Sequence, residues 1–302
     1  MNNYLVLGAC FLLGIILRRS GRLPDNTAMT LNGFVVHISL PALTLAYVHD
    51  LDLNSRLILP ALMPWIVFGV GCAFFWLVGR TLGFSPATTG GLMLTGGLAN
   101  TAFIGLPMIE TFYGPEYLGL GILIDQAGSY LVLSTLGILV ASIYSSGHAL
   151  DSQTVIRRIV LFVPFQAFVL ALFLMPVEYP AWLAELLKRL GGTLIPLALV
   201  SVGYQLRLSA VRGKATALAT GLVFKLALAP ALIFILFAEL FGIEGQAMRV
   251  TIFEAAMPPM IGASIVAMDH ELDPPLLTLM IGVGIPLSFL TLPAWWYLLT
   301  LV

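Results

Sequence analysis

Apolar runs of about twenty residues follow one another along the whole of this chain, separated by short polar connections. A bilayer core about 30 Å thick takes about 20 apolar residues per helical crossing. That length places spans at roughly 3–17, 27–48, 57–80, 87–112, 117–143, 156–176, 190–206, 214–240, 247–268 and 274–299. Hydrophobic residues make up 59% and charged residues 10% of the 302. A soluble domain carries roughly 25% charged residues, so the outer surface of this fold is expected to face lipid rather than water. The expected fold class is an all-α polytopic membrane protein with ten transmembrane helices.

Several function classes lack the residues they need. A net charge of −1 without any Lys/Arg-rich tract excludes nucleic acid as a partner. Cys10 and Cys72 lie inside apolar runs, where a thiol acts as a small hydrophobe. No His/Glu pair has metal-ligand spacing, no nucleophile motif occurs, and no Gly-rich loop precedes a Lys-Ser/Thr pair. Neither an enzyme nor a resident metal or cofactor is therefore expected.

Charge also sets orientation. Residues 1–17 carry no Lys or Arg, whereas Arg18, Arg19 and Arg22 follow, which reads as a retained helix rather than a cleaved signal. Arg80, Arg157, Arg158, Arg207, Arg212 and Lys214 fall on the same face as those arginines. The other face has Arg56, Lys188, Arg189 and Arg249, with Asp50, Asp52, Glu116, Glu178 and Glu244. Lys and Arg are held on the cytoplasmic side, so both termini are expected outside a cell (inner or plasma) membrane. The 177–189 connection reads equally as a helix in the interface or as the first turn of the seventh span.

The two halves echo each other. Ser39-Leu40-Pro41-Ala42-Leu43 recurs as Leu194-Ile195-Pro196-Leu197-Ala198, Leu82-Gly83-Phe84 as Phe241-Gly242-Ile243, and Ile104-Gly105 as Ile261-Gly262. Two successive five-span units, 1–150 and 151–302, enter the membrane from opposite sides and so form an inverted repeat, the arrangement that places a transport site at a repeat interface.

Spans 4 and 9 carry the chemistry. Span 4 reads Gly96-Gly97-Leu98-Ala99-Asn100-Thr101-Ala102-Phe103-Ile104-Gly105-Leu106-Pro107, and Pro107 is expected to break the helix near Phe103. Span 9 holds Pro258-Pro259 one turn after Glu254. A proline kink would explain either span alone. Paired breaks near the bilayer centre suggest facing half-helices around a polar site.

Asn100-Thr101-Ala102-Phe103-Ile104-Gly105-Leu106-Pro107 resembles the Asn-Thr-Gly-Phe-(Leu/Ile)-Gly-Leu-Pro signature of the auxin efflux carrier family, and Ile38-Ser39-Leu40-Pro41-Ala42-Leu43 resembles its second-span signature. The resemblance implies crossed helices 4 and 9, a mobile body of spans 3–5 and 8–10, and a dimerising scaffold of spans 1, 2, 6 and 7. It also implies transport of carboxylates such as malate, malonate or auxin, with Asn100 at the substrate site. Ala99 and Ala102 depart from the usual glycines, and there is no long cytoplasmic loop of the kind many plant auxin carriers have. A homodimer through spans 2 and 7 is expected, with Gly191-Gly192 and Gly203 allowing close approach.

The expected substrate site is Asn100, Thr101, Gly105, Pro107, Pro258 and Pro259, with Asp125, Gln126, Lys225 and Glu254 for coupling or charge compensation. Lys225 lies about 16 Å into span 8 by helical rise, within reach of Glu254 or of a substrate carboxylate. Asp125 or Glu254 is expected to titrate or to bind Na+ or H+ rather than touch an anion. That leaves a sodium- or proton-coupled carrier of the bile-acid-symporter or antiporter type as the second reading. An intramembrane enzyme or receptor is the third, with His37 and Ser39 as its local candidates.

Overall fold

A lipid-embedded chain must satisfy its backbone internally, and helices do so along their own length. The computed structural model describes residues 2–49, 51, 57–145, 152–206, 213–240 and 245–301. Asp50, Asp52, Arg56, His148, Arg207, Arg212 and the 241–244 segment lie outside them, as does the side chain of Arg158. The described residues are helical, with one isolated antiparallel bridge and no strand.

In chain order the helices are α1 (Asn2–Ser20), α2 (Thr27–Val48), α3 (Ile58–Leu82), α4 (Pro86–Gly97), α5 (Thr101–Phe112) and α6 (Pro115–Tyr144). There follow α7 (Ser152–Leu161), α8 (Val163–Leu174), α9 (Ala181–Gln205), α10 (Ala215–Glu239), α11 (Gln246–Ala255), α12 (Ile261–Asp269) and α13 (Pro274–Thr300). Among the described residues six helices are long and apolar enough to cross a membrane, namely α2, α3, α6, α9, α10 and α13.

Two expectations about continuity need correction, and one open alternative is decided. The sixth span is interrupted at Phe162, whose backbone is extended (φ −74°, ψ 112°), because Pro164 in the first turn of α8 cannot continue α7. The 181–191 helix does not lie apart from the seventh span: it runs into it through a two-residue turn at Gly192-Thr193. Span 4 breaks at 98–100 and not near Phe103.

The reason lies in how the chain absorbs proline. Proline clashes with the carbonyl four residues earlier. Around Pro41, Pro107 and Pro230 that carbonyl belongs to His37, Phe103 and Leu226, each at the centre of a five-residue π-helical turn: Val35–Ser39, Thr101–Gly105 and Phe224–Leu228. The wider turn removes the clash without ending the helix. It also frees carbonyls, and the Leu226 carbonyl accepts a hydrogen bond of 2.8 Å from the Trp295 indole. Trp65 donates in the same way to Ala127, inside the π-helical turn Ile124–Tyr130.

Close helix approach depends on glycine where no hydrophobic force draws helices together in lipid. A Cβ on Gly203 would lie 2.0 Å from the Phe11 carbonyl oxygen, and one on Gly14 would lie 2.1 Å from that of Val200. These two glycines seat α1 on α9. Gly191 likewise faces Leu43 of α2 at 2.9 Å. Gly191 and Gly203, expected at a dimer contact, are thus used inside the chain.

Candidate functional site

The two interrupted spans meet at their interruptions. Leu98 turns extended after α4 (φ −109°, ψ 133°), and Ala99 pairs antiparallel with Pro259 between α11 and α12. The Asn100 amide donates to the Pro258 carbonyl at 2.9 Å, and the Met260 amide donates to the Leu98 carbonyl at 3.1 Å. Ala99 and Pro259 occupy the position of an antiparallel pair whose own N–H groups face away from the partner strand. Pro259 therefore loses nothing by having no N–H, and Pro258 supplies only a carbonyl. The double proline stops α11 and still satisfies the bridge.

Four helix ends converge there. Asn100 caps α5, its Oδ1 accepting from the Phe103 amide at 3.2 Å. Its Nδ2 is buried without a partner. Met260 precedes α12 and gives no side-chain cap. At the C-terminal end of α11, Lys225 of α10, fully buried, donates to the Ala255 carbonyl at 3.0 Å, placing a cation where a helix dipole is negative.

A cavity of about 280 Å³ opens beside the bridge. Asn100, Ala102 and Phe103 wall it from α5, Asp125 from α6, and Met260, Ile261 and Gly262 from the start of α12. The opposite wall comes from Asn32, Val36 and Leu40 of α2 and from Phe162 before α8. Two helix N-termini, whose first-turn amides have no acceptor within their own helices, thus border the cavity together with Asn100.

Not every residue singled out by the sequence lines it. Asp125 does, held by Thr101 Oγ1 at 2.5 Å and by Gln126 Nε2 at 2.6 Å, so Thr101 and Gln126 stand behind it as supports. Pro258 and Pro259 form the bridge, and Pro107 lies in α5 past its π-helical turn; none of the three is a wall residue. Lys225 and Glu254 are buried behind the bridge. Lys225 bonds the Ala255 carbonyl, and both Glu254 oxygens lack hydrogen-bond partners. Gly105 makes room for Glu254: a Cβ there would lie 2.5 Å from Oε1 and 2.6 Å from Oε2. Asn32 was missed, although a polar residue within an apolar span was a legible signal. Phe162 and Ile265 gave none, being apolar residues among many.

His37 and Ser39 do not form a catalytic pair. The His37 ring bonds the Gly33 carbonyl at 2.9 Å, and the Ser39 hydroxyl bonds that of Thr193 at 2.7 Å.

Residues 5–296 match the family described as membrane transport protein. The chain belongs to this family, the auxin efflux carrier family. An uncharacterized transporter of Methanothermobacter thermautotrophicus is 29% identical over 289 residues, covering 94% of this chain and 93% of that relative. Another, of Methanocaldococcus jannaschii, is 25% identical over 309 residues, covering 99% of this chain and 98% of that relative. This membrane transporter therefore aligns with those relatives over nearly its whole length, both broken spans included.

Proposed function

We propose that this transporter carries a small organic anion, a carboxylate, in the cavity between α2 and the facing ends of α5 and α12. The supporting observation is the Asn100 Nδ2, buried without a partner beside the first turns of two helices. Helix N-termini favour negative charge, and a carboxylate supplies an acceptor for the unpaired Asn100 amide. The largely apolar remainder of the wall suits the carbon skeleton of such an acid.

Movement follows the elevator scheme. Ten crossings form two inverted five-helix repeats, 1–150 and 151–302, in a cell membrane with both termini outside. Spans 3–5 and 8–10 move as one body against a dimerising scaffold of spans 1, 2, 6 and 7. The cavity's own walls support this division, since Asn100, Asp125 and Ile261 belong to the moving spans, whereas Asn32 and Phe162 belong to the scaffold. Sliding one wall past the other carries the bound anion with the moving body.

Uptake of labelled mono- and dicarboxylates and aromatic acids into liposomes containing the purified protein tests the reading. Saturable uptake of at least one acid, lost when a disulfide ties α2 to α5, is the expected result. Flux no greater than in protein-free liposomes for every acid would overturn it.

A further inference from the structure

We propose that Glu254 is a proton-binding site, that Asp125 is its outlet to the cavity, and that one proton travels with each singly charged anion. The inference rests on the anion-transport reading for its cargo, but the site stands on its own geometry.

Glu254 is fully buried, and neither of its carboxyl oxygens has a hydrogen-bond partner. Gly105 packs directly against it and Gly121 lies nearby. Gly105 of α5 leaves no space for a Cβ beside its oxygens, and a Cβ on Gly121 of α6 would lie 3.7 Å from Oε1. Each glycine has a partner one turn away on the same helix. Thr101 is four residues before Gly105, Asp125 four residues after Gly121, and Thr101 bonds Asp125. Residues four apart share a helix face, so the Thr101–Asp125 contact and the Glu254 carboxyl are successive rungs between α5 and α6. Only the first rung reaches the cavity.

The charged groups facing Glu254 are Asp125 from α6 and Lys225 from α10. Glu110 of α5 faces Tyr47 instead, and Arg249, on the same helix as Glu254, faces Tyr113. A proton suits this place better than a metal ion. Sodium requires a shell of oxygen ligands, whereas the Glu254 oxygens abut Gly105, and the apolar side chains of Leu106 and Ile109 fill the space at Gly121.

Charge balance gives the stoichiometry. Two carboxylates and one ammonium leave the buried cluster at −1. A singly charged substrate alone would take it to −2, while the same substrate with a proton leaves it at −1, so loaded and empty bodies cross the membrane with equal charge. The transfer needs no further reagent. A hydronium ion in the cavity protonates Asp125, that O–H bond then breaks as one forms on Glu254, and Asp125 is left ionised, so one proton has been taken up.

Infrared difference spectra of the protein in lipid, recorded across pH, read the site without any substrate. A carboxylic C=O band that grows as pH falls should disappear in Glu254→Gln and shift in Glu254→Asp, with elution as a single species confirming that each variant folds. In liposomes an inward pH gradient should stimulate uptake several-fold for the wild type and not at all for Glu254→Gln. Three results would overturn the proton site: the band surviving in Glu254→Gln, the variant keeping its pH stimulation, or a sodium gradient serving in place of protons. A wild type that shows the band and transports no acid would instead overturn the anion reading.

Discussion

The two broken spans solve the same backbone problem with different chemistry. The first break ends in Asn100, whose side chain caps the helix that follows and keeps its amide unpaired. The second is made by Pro258 and Pro259, which have no donors, so its helix ends depend on other parts of the fold. Lys225 reaches in from α10 to satisfy the Ala255 carbonyl, and α12 starts without any side-chain cap. The first break is locally self-sufficient and the second is not. In the proposed mechanism recognition and coupling divide along that line, with Asn100 assigned to the cavity and Glu254 and Lys225 lying behind the prolines.

The strongest test of that contrast is Lys225→Met. It strips the Ala255 carbonyl of its donor and leaves Glu254 without a facing cation, and removing one partner of a buried charge pair costs about 3–5 kcal/mol. Thermal unfolding in detergent should show a large fall in melting temperature, mostly restored by adding Glu254→Gln. A double variant no more stable than the single one would mean that the second break does not depend on this lysine's charge.

Asn100→Ala should act on binding and on local stability together. Loss of the cap is worth about 1 kcal/mol, and loss of the free amide should weaken substrate binding about tenfold, or about 1.4 kcal/mol. Ligand-dependent thermal stabilisation measures both. Asn100→Asp keeps the cap and should bind the anion more weakly still, because it sets a negative charge in the cavity.

Thr101→Val removes one of the two hydrogen bonds that hold Asp125, an effect of about 1 kcal/mol. It should change the pH dependence of uptake more than the apparent substrate affinity. Equal changes in both would place Asp125 in direct contact with the substrate.

The smallest effect is expected at the far ends of the broken spans. Asp273, between α12 and α13, accepts from Thr88 of α4 at 2.5 Å and from Lys214 at 2.6 Å. Burial alone would raise its pKa, but the hydrogen bonds from Lys214 and Thr88 hold the carboxyl below its ordinary value of 3.8. A depressed folded-state pKa gives stability that is present above that ordinary value and is lost as pH falls through the folded one. Asp273→Asn should therefore melt slightly below the wild type at neutral pH, by about 0.5 kcal/mol for a part-exposed pair. The gap should close in strong acid.

Helix positions were legible because lipid leaves few options. An apolar run of about twenty residues has to be a helix, and α2, α3, α6, α10 and α13 lie close to where their runs predict. The break in span 4 was misplaced because Pro107 acts through its neighbours: a π-helical turn absorbs it, while the preceding Leu98 and Ala99, unremarkable in sequence, unwind to pair with the second break. Asp125 was recognised as an ionisable residue within a span, but its attachment to Thr101 was not. That contact joins residues 24 positions apart, and no local pattern records it.

By itself the sequence determined the solvent, most of the helix positions and, through Pro258-Pro259, one of the two breaks, which follow from hydropathy and from proline's missing N–H. Tertiary structure decided what those breaks became. Ala99 found Pro259 across 160 residues, Gly105 made space for Glu254, and Lys225 reached the carbonyl end of α11. Each is a contact between distant segments, and its energy depends on the distance between the groups rather than on their separation along the chain.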